Sequence, residues 1–109
     1  MGQLLKDLDA LDSRGNLGDW CFVEPNEYHG LIMFLRYPIS DEEWFKWHDF
    51  PPNEDYPNRG DVVGIPLSGD KPPVWQWDGN RECPTVSPSI NVIGRWHGYF
   101  RNGKIETLE

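Results

Sequence analysis

Two cysteines, three histidines and a scatter of serines and carboxylates hold whatever reactive chemistry this chain can have. Cys83 or Ser87 as nucleophile, His97 as base and Asp78 or Glu82 as orienting carboxylate supply the residue types of a nucleophilic site. No family-specific nucleophile motif surrounds any of them, so the residues alone favour a non-enzymatic chain with no catalytic group. The plainer role of Ser87 and Ser89 is to cap backbone groups in a proline-rich strand. Structural zinc usually takes four Cys or His ligands in close-spaced pairs. Cys21, His29, Cys83 and His97 are the available set, and none of them stand at that spacing. No cofactor is therefore expected, with zinc on those four residues as the alternative. In Trp75-Gln76-Trp77 both indoles fall on one face of a strand, which suits either a core or a platform for stacking sugars or peptides. Trp75, Trp77, Asp78, Asn80, Ser87 and His97 are thus the candidate binding residues. Asp41, Glu42, Glu43, Asp49, Glu54 and Asp55 form a candidate acidic patch. Such a patch steers a basic partner into place more than it tightens binding.

The elements that must position these groups can be read from pattern. Leu4, Leu5, Leu8 and Leu11 recur at helical spacing, which predicts an amphipathic helix over Gln3 to Asp12. It is either a core element or a loosely attached arm. Residues 1–19 then read as a helix and linker, and 20–109 as one β-rich domain. Trp20 to Glu24 and Tyr28 to Tyr37 read as strands, the second central in its sheet because Leu31 to Leu35 are apolar on both faces. Ser40-Asp41-Glu42-Glu43 is a capping box opening a short helix, Asp41 to about His48. Trp44 and Trp47 are expected on one face of that helix, three apart, with His48 one turn beyond Trp44. Residues 49–60 form a polar loop with Pro51, Pro52 and Pro57. Asp61 to Pro66 and Val74 to Asp78 are further strands. Thr85 to Ile93 is β-prone but holds Pro88, which predicts an edge or bulged strand. Arg95 to Arg101 and Lys104 to Leu108 flank Asn102-Gly103, the strongest hairpin signal in the chain. The expected fold is mostly β (α+β), a small antiparallel sheet with hairpins and one or two short helices.

Composition sets the frame. The chain has 109 residues, 10 basic against 18 acidic side chains, and a mean hydropathy of −0.66. Fifteen of its residues are aromatic, 6 Trp, 4 Tyr and 5 Phe, enough to build most of a small core. Residues 1–60 carry 5 basic and 12 acidic groups, and residues 61–109 carry 5 and 6, so the negative field belongs to the first half. An acidic chain gains nothing from releasing counterions on nucleic acid, so no direct nucleic-acid binding is expected. No run of 18 apolar residues is present to span a membrane. No charged segment followed by an apolar one marks a secretory leader, so a cytoplasmic location and reduced thiols are expected. An exposed Trp face would allow a dimer as readily as a monomer. Leu108-Glu109 reads either as native or as the remnant of a tag junction.

Three segments together resemble a known pattern: Trp75-Gln76-Trp77-Asp78-Gly79-Asn80, Pro84-Thr85-Val86-Ser87-Pro88-Ser89-Ile90 and His97-Gly98-Tyr99-Phe100-Arg101-Asn102-Gly103-Lys104-Ile105. They are similar to a family of small phage and prophage proteins of unknown function, often mislabelled "ammonia monooxygenase". About 30 residues carry the likeness. The resemblance implies a Cys-His metal pair in the last hairpin of many relatives, completed by a Cys pair in the first half. Here Trp96 stands where that cysteine is expected, and the first-half pair is missing. The resemblance therefore implies an accessory or interaction module of a bacterial host's phage or prophage, acting on a host or phage protein with a basic surface. It also implies that aromatic packing by Trp96 replaces the metal. A zinc-ribbon or metal-dependent hydrolase and a Trp-lined carbohydrate-binding module are the alternatives.

Overall fold

The computed structural model describes residues 2–108. It contains two antiparallel sheets and two short helices, the mostly β (α+β) fold expected. The first sheet has strand order β1 (Trp20–Val23), β2 (Ile32–Tyr37), β3 (Asp61–Pro66). The central place of β2 follows from its apolar run: Met33, Leu35 and Tyr37 are buried. The strand begins at Ile32, four residues later than the pattern suggested. Residues 26–29 are instead folded into a turn, where the Asn26 side chain accepts from the backbone N–H groups of Tyr28 and His29. An Asn side chain imitating a backbone turn in this way competes directly with strand pairing.

The second sheet runs β4 (Gln76–Trp77), β5 (Val86–Val92), β6 (Trp96–Arg101), β7 (Lys104–Thr107). Asn102 and Gly103 both have positive φ, 51° and 71°, as a type I′ turn between β6 and β7 requires. The β5–β6 turn, Ile93-Gly94-Arg95, places Gly94 in the left-handed region at φ 78° and lets Arg95 N–H donate to the Val92 carbonyl. That is a three-residue hairpin loop, with Val92 paired to Trp96 across it. Trp20, Met33, Leu35, Tyr37 and Ile65 from one sheet meet Val86, Ile90, Trp96 and Phe100 from the other, so the two sheets share a single core.

The N-terminal helix is shorter and later than its leucine spacing suggested. α1 spans Leu8–Arg14, with Asp7 as N-cap accepting from the Ala10 N–H. The preceding leucines are extended: Leu4 forms a parallel bridge with Trp20, and Leu5 N–H donates to the Trp20 carbonyl. A side-chain cap at Asp7 satisfies an N–H that a longer helix would have to satisfy through its own ladder. The helix is part of the body of the molecule. Leu11 is fully buried, and the buried Arg36 guanidinium donates to the Leu11 and Asp12 carbonyls at 2.9 and 2.6 Å and to the Gly60 carbonyl at 3.1 Å.

α2 spans Asp41–His48, and its Ser40 hydroxyl accepts from the Glu43 N–H at 3.1 Å. Trp44 and Trp47 do not share an environment. Trp44 is buried and stacked on His48, with ring centroids 3.8 Å apart, whereas Trp47 is 68% exposed under the Arg95 guanidinium. Three residues advance a helix by about 300°, enough to separate a ring at the edge of the apolar stripe from one at its centre. Among the described residues no helix is long and apolar enough to cross a membrane.

Candidate functional site

The β5–β6 hairpin carries the site, and a bulge in β5 shapes it. Val86 pairs with Phe100 and Ile90 pairs with Gly98, so Ser87, Pro88 and Ser89 stand against the single residue Tyr99. Pro88 has no N–H to offer the ladder, which makes this the natural place for pairing to break. The strand is bulged as expected, but it lies between β4 and β6 and is not an edge. Beyond the bulge the register is regular. Ile90 and, on β6, Trp96 and Phe100 turn inward and are buried, while Ser89 is half-buried and Asn91 and His97 are exposed.

Ser89 Oγ lies 3.0 Å from His97 Nε2, diagonally across the hairpin. Diagonal neighbours on one face of an antiparallel pair are within reach of long side chains. A serine hydroxyl within hydrogen-bond reach of an imidazole nitrogen is the first requirement of an activated serine. The serine concerned is Ser89 and not Ser87, which lies on the far side of the bulge at the level of Gln76. The Ser89 carbonyl is held as well, accepting from the Trp75 indole N–H at 3.4 Å.

Neighbouring groups fix the hairpin to the rest of the molecule. Trp96 stacks on Tyr37 with centroids 6.0 Å apart, and its indole N–H donates to the Thr107 hydroxyl at 2.9 Å. Arg95 donates to the Tyr37 hydroxyl at 2.9 Å and to the Asp61 carboxylate, and these two hydrogen bonds hold its pKa above the ordinary arginine value. His97 therefore directly follows two anchored residues, on a strand whose inner face is pinned to the first sheet.

The remaining predicted site residues have other placements. Trp75 and Trp77 are half-buried against the core, and Trp77 packs on Phe22 with ring centroids 5.3 Å apart. Asp78 accepts from the Asn80 and Thr85 N–H groups, and Asn80 accepts from those of Glu82 and Cys83. Both are occupied in building the turns between β4 and β5. Cys21 is buried in β1, where burial first and the Asp7 carboxylate second push its thiol up to about 11. Cys83 is exposed and also free. His29 sits in the β1–β2 turn, with one ring nitrogen at 3.1 Å from the Asn26 amide and the other at 2.7 Å from the Gly30 carbonyl. Cys21, His29, Cys83 and His97 are not gathered: the described residues contain no group of three or more His, Cys, Asp or Glu able to hold a metal. Of the acidic residues, Asp41, Glu42, Asp49, Glu54 and Asp55 are exposed and Glu43 is half-buried, all on α2 and the loop after it.

No curated protein and no solved structure matches this chain. Residues 56–108, which contain β3 to β7 and the Ser89–His97 pair, match the family model described as "Bacterial ubiquitination-like system serine protease (BubE)".

Proposed function

We propose that this chain carries a serine hydrolase site acting on an acyl bond within a bacterial ubiquitination-like system, with Ser89 as nucleophile and His97 as general base. The observation that carries this reading is the 3.0 Å contact between Ser89 Oγ and His97 Nε2, lying inside the segment that matches a serine protease family. The chemistry balances in two steps. Ser89 Oγ attacks the carbonyl carbon while its proton passes to His97 Nε2, and the carbonyl π pair moves onto oxygen. The C–N bond then breaks as His97 returns the proton to the leaving amine. Water, deprotonated by the same imidazole, hydrolyses the acyl-serine. The hairpin supplies the positioning: a strand pinned through Trp96 and Arg95 holds the imidazole at the serine without a loop.

The sequence alone favours a non-enzymatic module, and one observation supports that as a second reading. α2 exposes Phe45 and Trp47 beside Asp41 and Glu42, an aromatic and acidic surface suited to docking a host or phage protein with a basic face. Labelling with a fluorophosphonate probe separates the two. The hydrolase reading expects stoichiometric labelling of the wild-type chain and none of Ser89→Ala, with strongly slowed labelling of His97→Ala. A wild-type chain that stays unlabelled, or a Ser89→Ala chain that labels equally, overturns it and leaves the docking module.

A further inference from the structure

An attacked carbonyl needs a donor for the oxygen that becomes charged, and the pair Ser89–His97 does not provide one. We propose that the side-chain amide of Asn91 is that donor, an inference that rests on the hydrolase reading above. Asn91 is the direct cross-strand partner of His97. It is also two residues beyond Ser89 on the same strand, with the buried Ile90 between them, so Ser89, Asn91 and His97 face the same side of the sheet. Directly paired residues hold their Cβ atoms about 5 Å apart, and residues two apart along a strand are separated by about 7 Å. A carbonyl carbon in contact with Ser89 Oγ therefore has its oxygen within reach of the Asn91 amide.

Of the other donors near this face, the Trp75 indole N–H is given to the Ser89 carbonyl, and the Arg101 guanidinium lies 3.8 Å over the Tyr99 ring and pairs with Glu106. Among the described residues no hydrogen bond claims the exposed Asn91 side chain. The chemistry of the group also fits. An amide N–H stabilises a developing oxyanion without placing a charge beside the imidazole. A carboxylate or an ammonium at the same position would do one job at the expense of the other.

The test uses the full chain and p-nitrophenyl acetate as probe, with Asn91→Ala, Asn91→Asp and Ser89→Ala compared at matched circular dichroism. Removing one oxyanion donor costs about 100- to 1,000-fold in kcat. Asn91→Ala is expected to show that loss, with KM within about twofold and the midpoint of the pH–rate profile unmoved. Asn91→Asp, which has no N–H to donate, is expected to be no better. Asn91→Ala retaining kcat within about threefold, while Ser89→Ala is inactive, overturns the role of Asn91 and spares the dyad. Asn91→Asp restoring activity with a raised pH midpoint also overturns it, because that result describes a residue orienting His97. An inert wild-type chain, or an active Ser89→Ala, overturns the dyad and the Asn91 proposal together.

Discussion

Gly98 lies directly beneath the proposed site, and adding one methyl group there is a stringent test of how the hairpin is held. A Cβ built on Gly98 falls 2.6 Å from the Glu106 carbonyl oxygen and 2.9 Å from Trp96 Cε2, and closer still to Trp96 Cζ2. Neither obstacle can yield easily. The Glu106 carbonyl is backbone of β7, paired to β6 through Gly98↔Thr107 and Tyr99↔Glu106. The indole is stacked on Tyr37 and tied to Thr107 through its N–H. Overpacking a well-filled core costs about 1–3 kcal/mol, and two anchored obstacles place Gly98→Ala near about 3 kcal/mol. With a urea slope of about 1.5 kcal/mol/M that is a midpoint lower by about 2 M, and by about 12–24 °C in Tm.

Urea denaturation followed by Trp fluorescence reads this directly, and a second substitution sharpens it. Trp96→Leu removes the indole but leaves the Glu106 carbonyl, so Gly98→Ala in that background should cost less than in the wild type while still costing something. Contacting residues depart from additivity in this way. Gly79→Ala is the contrast: a Cβ there meets nothing within 4 Å, and only its left-handed backbone at φ 86° is disturbed, at about 1–2 kcal/mol. If Gly98→Ala shifts the midpoint by less than Gly79→Ala, the packing of β6 described above is wrong. Because displacement of β6 moves His97, fluorophosphonate labelling at Ser89 should slow in Gly98→Ala even under conditions where the chain remains folded.

Two further outcomes follow from buried groups away from the hairpin. Arg36→Met leaves the Leu11, Asp12 and Gly60 carbonyls without their shared donor. The lost hydrogen bonds outweigh the relief of burying no charge, and a net loss of about 2 kcal/mol is expected in urea midpoints, with hydrogen exchange accelerating first in α1. Thiol titration with a disulfide reagent should find one reactive thiol, Cys83, in the native chain and two in denaturant. The folded Cys21 thiol titrates near 11 against an ordinary 9.0, so its contribution is intact below pH 9 and is lost as pH rises through 11. Two pKa units correspond to about 2–3 kcal/mol, and Cys21→Ser should remove most of that alkaline dependence.

Much of the fold was legible because its signals are local. The Ser40 cap, the apolar run of β2 and the Asn102-Gly103 turn each depend on a few adjacent residues, and each is present as read. The pattern fails where another partner competes with the expected helix or strand ladder. Asp7 capped α1 and left Leu4 and Leu5 to extend beside Trp20, so four leucines at helical spacing did not form one helix. Asn26 closed a turn in what read as the start of β2. Trp75 lost its place in β4 although the period was right. Its backbone N–H donates to the Pro66 carbonyl, which turns this segment toward the end of β3. Such long-range partners have no trace in a period-two pattern.

The site was harder to read for a reason that is geometric. Ser87 and Ser89 have the same parity, the same residue type and the same proline between them, so pattern cannot choose between them as partners of His97. The β5–β6 turn can. A three-residue loop at Ile93-Gly94-Arg95 sets Val92 opposite Trp96 and Asn91 opposite His97, which leaves Ser89 on the diagonal and Ser87 two residues further away. The turn was visible only as a lone glycine between a valine-isoleucine pair and an arginine, a far weaker signal than Asn-Gly. Pro88 then misdirected the reading, since a proline in a strand suggests an edge and an edge suggests capping serines. In the structure the same proline does something else. It breaks the ladder so that Ser87 to Ser89 stand against Tyr99 alone, with Ser89 left on the turn side of the break, its hydroxyl 3.0 Å from the His97 imidazole. Ser87 falls on the other side, paired with Gln76 of β4, so the irregularity that obscured the pair in the sequence is also what separates the two serines.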